Sequence, residues 1–155
     1  MYGSQRFGRD GETFRLGLAL LRGEPPPLAA DGRPVRAGFK PAPTARSPFL
    51  RKLALSAAQS ALFNHYLARR MADGFSRRVL PGDVMAKWPF GGMFVAEDTA
   101  REQARFDARE TVSAGPIFGR KTFAAAGEAA AREEAVLAEA GFPREALRGW
   151  GKLLQ

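Results

Sequence analysis

The chain has 155 residues, 45% of them hydrophobic, and a formal charge of +8 at neutral pH. That is enough apolar sequence for one domain with a real core, but no apolar run approaches the roughly 20 residues that a membrane-spanning helix needs. With no cysteine and His65 as the single histidine, disulfides, thiolate zinc sites and histidine metal clusters are excluded.

In chain order, the first predicted element is a helix over 12–22. Asp10 is its expected N-cap, Phe14, Leu18 and Leu21 form an apolar stripe, and Gly23 stops it before Pro25-Pro26-Pro27. Residues 24–46 are rich in Pro, Gly and Arg without periodicity and predict a mobile loop. A long helix follows from about Pro48 to Ala72. Leu50, Leu53, Ala57, Ala61 and Leu67 line one face, widened by Leu55, Ala58, Leu62 and Tyr66, which predicts a helix buried on most sides. Its polar residues Ser56, Gln59, Ser60 and Asn64 must each find a partner, and tying neighbouring loops to the helix outweighs ligand contact as their role. His65 is expected to be a satisfied interior or surface histidine.

From Arg77 onward the pattern changes to short strands at Arg78–Leu80, Val84–Trp88 and Met93–Val95. Pro81-Gly82-Asp83 and Phe90-Gly91-Gly92 supply the turns between them. Thr99 with Glu102 reads as a capping box opening a helix to about Arg109. Glu110–Ala114 reads as another strand, running into Gly115-Pro116-Ile117-Phe118-Gly119. A last long helix spans roughly 125–140 and ends at Gly141, and Pro143 starts a short one. The expected fold class is α+β, a helix-rich single domain with a small sheet of short strands.

Charge is unevenly spread. Residues 1–78 carry 14 Lys/Arg against 5 Asp/Glu, and residues 79–155 carry 10 against 11. Between Arg33 and Lys52 stand Arg33, Arg36, Lys40, Arg46, Arg51 and Lys52, with no acidic residue among them. Such a segment is the electrostatic footprint of a phosphate backbone or an anionic membrane surface. The plainer alternative is a GC-rich genome, in which Arg replaces Lys on solvated faces.

Sites for chemistry are missing. No phosphate-binding glycine loop is present, so nucleotide cofactors have no support. No serine sits in a nucleophile elbow. Asp10, Asp31, Asp73, Asp83, Asp98 and Asp107 fall where caps, turns and solvated helix faces want them, Asp83 first as a turn residue. No cofactor and no metal is expected. The residues alone predict a basic domain that binds nucleic acid.

Several segments, in order, resemble the TruD family of pseudouridine synthases, which isomerise a uridine in tRNA. Gly3-Ser4-Gln5-Arg6-Phe7-Gly8 is similar to the back half of an Asn-Tyr-Phe-Gly-x-Gln-Arg-Phe-Gly motif. Arg51 with Leu55–Asn64 resembles an Arg…Leu-Ser-Ala-x-Gln-Ser-x-Leu-Phe-Asn helix, and Gly82-Asp83 a strand-turn Gly-Asp. Glu110 with Gly115–Gly119 resembles a Glu…Thr-Gly-Pro-Leu-Phe-Gly segment, with Ala114 in place of threonine, and Glu128 with its helix also fits.

The resemblance implies a catalytic domain into which a second domain, called TRUD, is inserted. Residues 1–9 would be a motif remnant or hinge from the catalytic domain and 10–155 the TRUD-like domain, with 24–46 its flexible basic loop. The family works without metal or cofactor, through an aspartate in a Gly-x-x-Asp-type segment expected upstream of Met1, so no catalytic residue is expected here. A partner segment downstream is expected too, and the chain alone would be inactive.

Contact with tRNA or another structured RNA is then expected from Tyr2, Gln5, Arg6, Phe7, Arg9, Arg36, Lys40, Arg46, Arg51 and Lys52. Tyr2 stands where the motif has phenylalanine. For the Gln5–Gly8 run, packing as an interdomain hinge is an equal alternative. A cytoplasmic location is expected from the absence of a charged-then-apolar leader and of cysteine, and a monomer is expected. The competing readings are a stand-alone RNA-binding module and a gene remnant without catalysis.

Overall fold

A computed structural model describes residues 7, 11–34, 48–119 and 121–141. Four helices and three short strands follow one another as α1 (Glu12–Arg22), α2 (Pro48–Ala72), β1 (Val84–Lys87), β2 (Met93–Val95), α3 (Thr99–Asp107), β3 (Thr111–Ser113) and α4 (Gly127–Glu139). The strands form one antiparallel sheet in the order β2-β1-β3, with Met85 opposite both Phe94 and Ser113. The architecture is the expected α+β.

The main core is built on α2. Its Leu55, Ala58, Leu62 and Tyr66 pack with Leu21 of α1, Val136 and Leu137 of α4, and Phe118 from the loop between β3 and α4. The stripe expected to widen the apolar face is therefore the core stripe, while Leu53 is exposed. A helix apolar on most sides offers several facing directions, and here α1 selects one. Gly17 lies against α2 so closely that a Cβ there would fall 2.1 Å from the Ala54 carbonyl oxygen. That close approach seats Leu16 over Ala54 in a second small cluster. Under the sheet, Val79, Met85 and Ala96 form a third, with Phe94 and Phe106 beside them.

Three local expectations are corrected. Arg78–Leu80 is not a strand, because side chains take its backbone groups before a ladder can. Val79 N–H donates to Gln103 Oε1 at 2.8 Å, Leu80 N–H to Asp83 Oδ2 at 2.8 Å, and the Arg78 carbonyl accepts from Arg70 at 2.7 Å. The N-cap of α3 is Asp98 rather than Thr99, its carboxylate accepting from Arg101 N–H at 3.0 Å. Glu102 instead turns inward to an ion pair with Arg105 at 2.8 Å. At the start of α1 the N-cap position belongs to Gly11 and has no side-chain cap; Asp10 and the short helix expected at Pro143 lie outside the described residues. The basic loop is structured at its beginning, where Leu28 bridges Pro34.

Helix ends show one further departure. α1, α2 and α4 each stop at a glycine of positive φ, namely Gly23, Gly74 and Gly141, as helices commonly do. α3 makes the same stop with Arg109, at φ 60. Arg109 N–H donates to Phe106 O at 3.0 Å and Glu110 N–H to Arg105 O at 2.9 Å, a complete Schellman closure without its glycine. These bonds also explain why β3 starts at Thr111 rather than Glu110. A side chain in the left-handed region costs on the order of 1 kcal/mol. Arg109→Gly is accordingly expected to raise the stability of the chain by about 1 kcal/mol, read as a higher melting temperature; a lower one would show that the arginine side chain outweighs its backbone strain.

Candidate RNA-contacting surface

The segments singled out in the sequence meet inside the protein. Arg70 on α2 and Asp83 after the turn are both buried and form a two-toothed ion pair, at 2.6 Å and 2.5 Å. Arg70 also donates to Tyr66 Oη at 3.1 Å, the Phe75 carbonyl at 3.1 Å and the Arg78 carbonyl at 2.7 Å. Burial opposes the charge on this guanidinium, but the hydrogen bonds and charge of Asp83 outweigh it and raise its pKa above the ordinary arginine value. The neighbouring Tyr66 phenol is pushed up by burial. Asp83 is thus a structural anion at the centre of the fold, more than the turn residue its sequence suggested.

A second junction joins α2 to the Gly115–Gly119 segment. Gln59 Nε2 donates to the Phe118 carbonyl at 2.6 Å, which realises the expected loop-tying role. Phe118 is fully buried, and Gly115 lies on the Phe63 ring, where a Cβ would come within 2.6 Å. Thr122 Oγ1 closes the segment by donating to Ile117 O at 2.6 Å and accepting from Gly119 N–H at 2.8 Å. Ser60 donates to Ser56 O at 2.8 Å. His65 is exposed and shares Glu139 of α4 with Arg69. Its hydrogen bond, with the charge of Arg69, holds the Glu139 carboxyl below its usual range.

Each described aspartate is committed structurally. Asp31 caps a turn at Arg33 N–H, Asp73 pairs with Arg132, Asp83 with Arg70, Asp98 caps α3, and Asp107 accepts from Gln103. Among the described residues no cluster of His, Asp and Glu could hold a metal ion, and no helix is long and apolar enough to cross a membrane.

Of the residues expected to touch RNA, Phe7, Arg51 and Lys52 are described. Phe7 is half-buried, its carbonyl accepting from Thr13 N–H at 3.0 Å and its ring set edge-on to Phe14 at 6.3 Å. That geometry packs Phe7 onto the start of α1. Arg51 is half-buried and Lys52 exposed on the first turns of α2, beside Phe49, which is 68% exposed. Tyr2, Gln5, Arg6, Arg9, Arg36, Lys40 and Arg46 lie outside the described residues.

A different surface lies apart from the residues expected to touch RNA. Between β1 and β2 the chain exposes Trp88 and Phe90, at 63% and 99%, together with Met93. Beside Trp88 an open groove of about 550 Å³ runs between the sheet and the C-terminal end of α3. Two aromatic residues within four of Lys87, in a turn that needs neither, were the available signal.

A model of the tRNA pseudouridine synthase D (TruD) family matches residues 35–153. A tRNA pseudouridine synthase D of Anaeromyxobacter sp. (strain Fw109-5) is 44% identical over 141 residues, covering 91% of this chain and 37% of that relative. A counterpart from Thermus thermophilus is 39% identical over 147 residues, covering 95% and 36%. The chain therefore spans little more than a third of the length of these curated relatives. A crystal structure from Methanosarcina mazei, described as a putative tRNA pseudouridine synthase D, superposes with a TM-score of 0.72 at 19% identity, over 94% of this chain and 46% of that one; this is a likeness of fold. With a family match across most of its length, and with the matching segments joined to one another through Gln59 and Arg70, the chain belongs to the tRNA pseudouridine synthase D (TruD) family.

Proposed function

We propose that this chain serves a TruD-type tRNA pseudouridine synthase as its RNA-gripping part, and that the isomerisation itself is carried out by residues it does not contain. Residues 1–9 would act as a hinge and 10–155 as the gripping domain. One observation carries this reading. The cation-rich stretch from Arg33 leads directly into the exposed start of α2, where Lys52 and Phe49 face solvent. Folded RNA is held largely through phosphates, shape and 2′-hydroxyls, and cations set beside a rigid helix suit that task. The commitment of the described aspartates to caps and ion pairs supports the division of labour, since none stands ready to act on a glycosidic bond.

The test uses tRNA carrying tritium at uridine C5. Forming pseudouridine places C1′ on C5 and releases that hydrogen to water. The 155-residue chain alone is expected to bind unfractionated tRNA, at least about ten-fold more weakly at 200 mM than at 50 mM salt, and to release no tritium. Tritium release by the chain alone would refute the division of labour. Affinity indifferent to salt would refute the basic grip.

A further inference from the structure

We infer that the groove beside Trp88 receives one unpaired nucleotide of the bound RNA, with its base stacked on Trp88 and its phosphate held by Arg77 and Arg109. This rests on the RNA-binding reading above and adds a site to it. Arg77, Trp88, Phe106, Asp107, Arg109 and Thr111 wall the groove, whose volume of about 550 Å³ falls in the range of small-molecule sites.

Four observations converge there. First, the indole of Trp88 is 63% exposed, and an exposed aromatic face beside cations is the platform on which single-stranded bases stack. Second, Arg77 and Arg109 have no carboxylate partner among the described residues, whereas Arg69, Arg70, Arg105 and Arg132 all do. Third, Thr111 is 1% exposed and its Oγ1 has no hydrogen-bond partner. A buried hydroxyl left in that state is costly unless something completes it, and a base edge or ribose hydroxyl would do so once the groove wall moves to uncover it. Fourth, Arg109 is the one helix-ending residue among α1–α4 to keep a side chain in the left-handed region, and strain of this kind gathers at working sites. An apolar protein surface closing over the groove would bury two guanidiniums against the single carboxylate of Asp107; a nucleotide supplies a further anion and the ring together.

Trp88 can report on its own occupancy. The chain has two tryptophans, so Trp150→Phe leaves Trp88 alone. In that background a ten-nucleotide oligouridylate is expected to quench the Trp88 emission, and a blunt-ended RNA duplex of equal charge is not. In the parent chain, anisotropy of the labelled oligouridylate should show about a ten-fold loss of affinity for Trp88→Ala and near-parent affinity for Trp88→Phe. Arg109→Gly should weaken binding about three- to five-fold while raising the melting temperature, a split that a purely structural residue does not give.

Unchanged Trp88 emission, equal quenching by the duplex, or equal affinity for Trp88→Ala would overturn the groove assignment. If unfractionated tRNA still binds in that case, the general RNA-binding reading survives. Failure of the parent chain to bind either RNA would overturn both.

Discussion

Replacing Asp83 by alanine is expected to destabilise the chain by about 3–5 kcal/mol, seen as a fall in melting temperature on the order of 10 °C. Asp83 is 2% exposed and its partner Arg70 is 5% exposed, so the substitution would leave a guanidinium buried without its anion. The damage spreads to the main chain. Asp83 Oδ2 also accepts from Leu80 N–H, and Arg70 holds the carbonyls of Phe75 and Arg78. For that reason the double replacement Arg70→Met with Asp83→Leu, which can be neutral for an isolated buried pair, should not restore stability here. Leu80 N–H and the Arg78 carbonyl would lose their side-chain partners, and the Phe75 carbonyl would keep only Arg78 N–H. Thermal unfolding followed by circular dichroism decides the matter. A melting temperature within two or three degrees of the parent for Asp83→Ala, or a stable double variant, would show that the pair is dispensable.

Gly82→Ala is expected to cost about 3 kcal/mol. Two causes act at once. Gly82 has φ +83, where a Cβ is strained, and that Cβ would sit 1.9 Å from the Ala126 carbonyl oxygen. The neighbouring chain cannot simply withdraw. Ala126 N–H donates to Gly82 O at 3.0 Å, and Ala129 N–H to Pro81 O at 3.3 Å, so the turn fixes the start of α4. The variant should show a lower denaturation midpoint in urea at an unchanged slope. If its midpoint matched that of the parent, the approach of the two segments would be looser than the contact implies.

Much of this fold can be read from the sequence where local chemistry decides. The start of α2 is written in Pro48 and its length in an uninterrupted apolar pattern, and Met93–Val95 stands between a glycine pair and a polar turn. Where distant side chains decide, the sequence is silent. Residues 78–80 look like a strand, yet their amides and carbonyls are claimed by Gln103, Asp83 and Arg70, partners that periodicity does not see. The facing of α2 was ambiguous for a related reason, since Gly17 of α1 settles it from outside the helix. The aspartates were legible as caps, turns and surface ions, but the depth of Asp83 was not. Trp88 reads as the end of a strand and Phe90 as the opening of a turn, because both signals describe the backbone and not what the side chains display. Arg109 was hidden by the rule that glycine ends helices.

The order β2-β1-β3 also fixes what the sheet can offer to other chains. Its central strand is hydrogen-bonded on both sides, and each outer strand has only three residues. An extended peptide arriving at either border would find room for very few main-chain bonds, too few to hold it in register. Such brevity guards against edge-to-edge aggregation. The sheet is thereby a rigid mount for the side chains it displays, and its specificity lies in what projects from it.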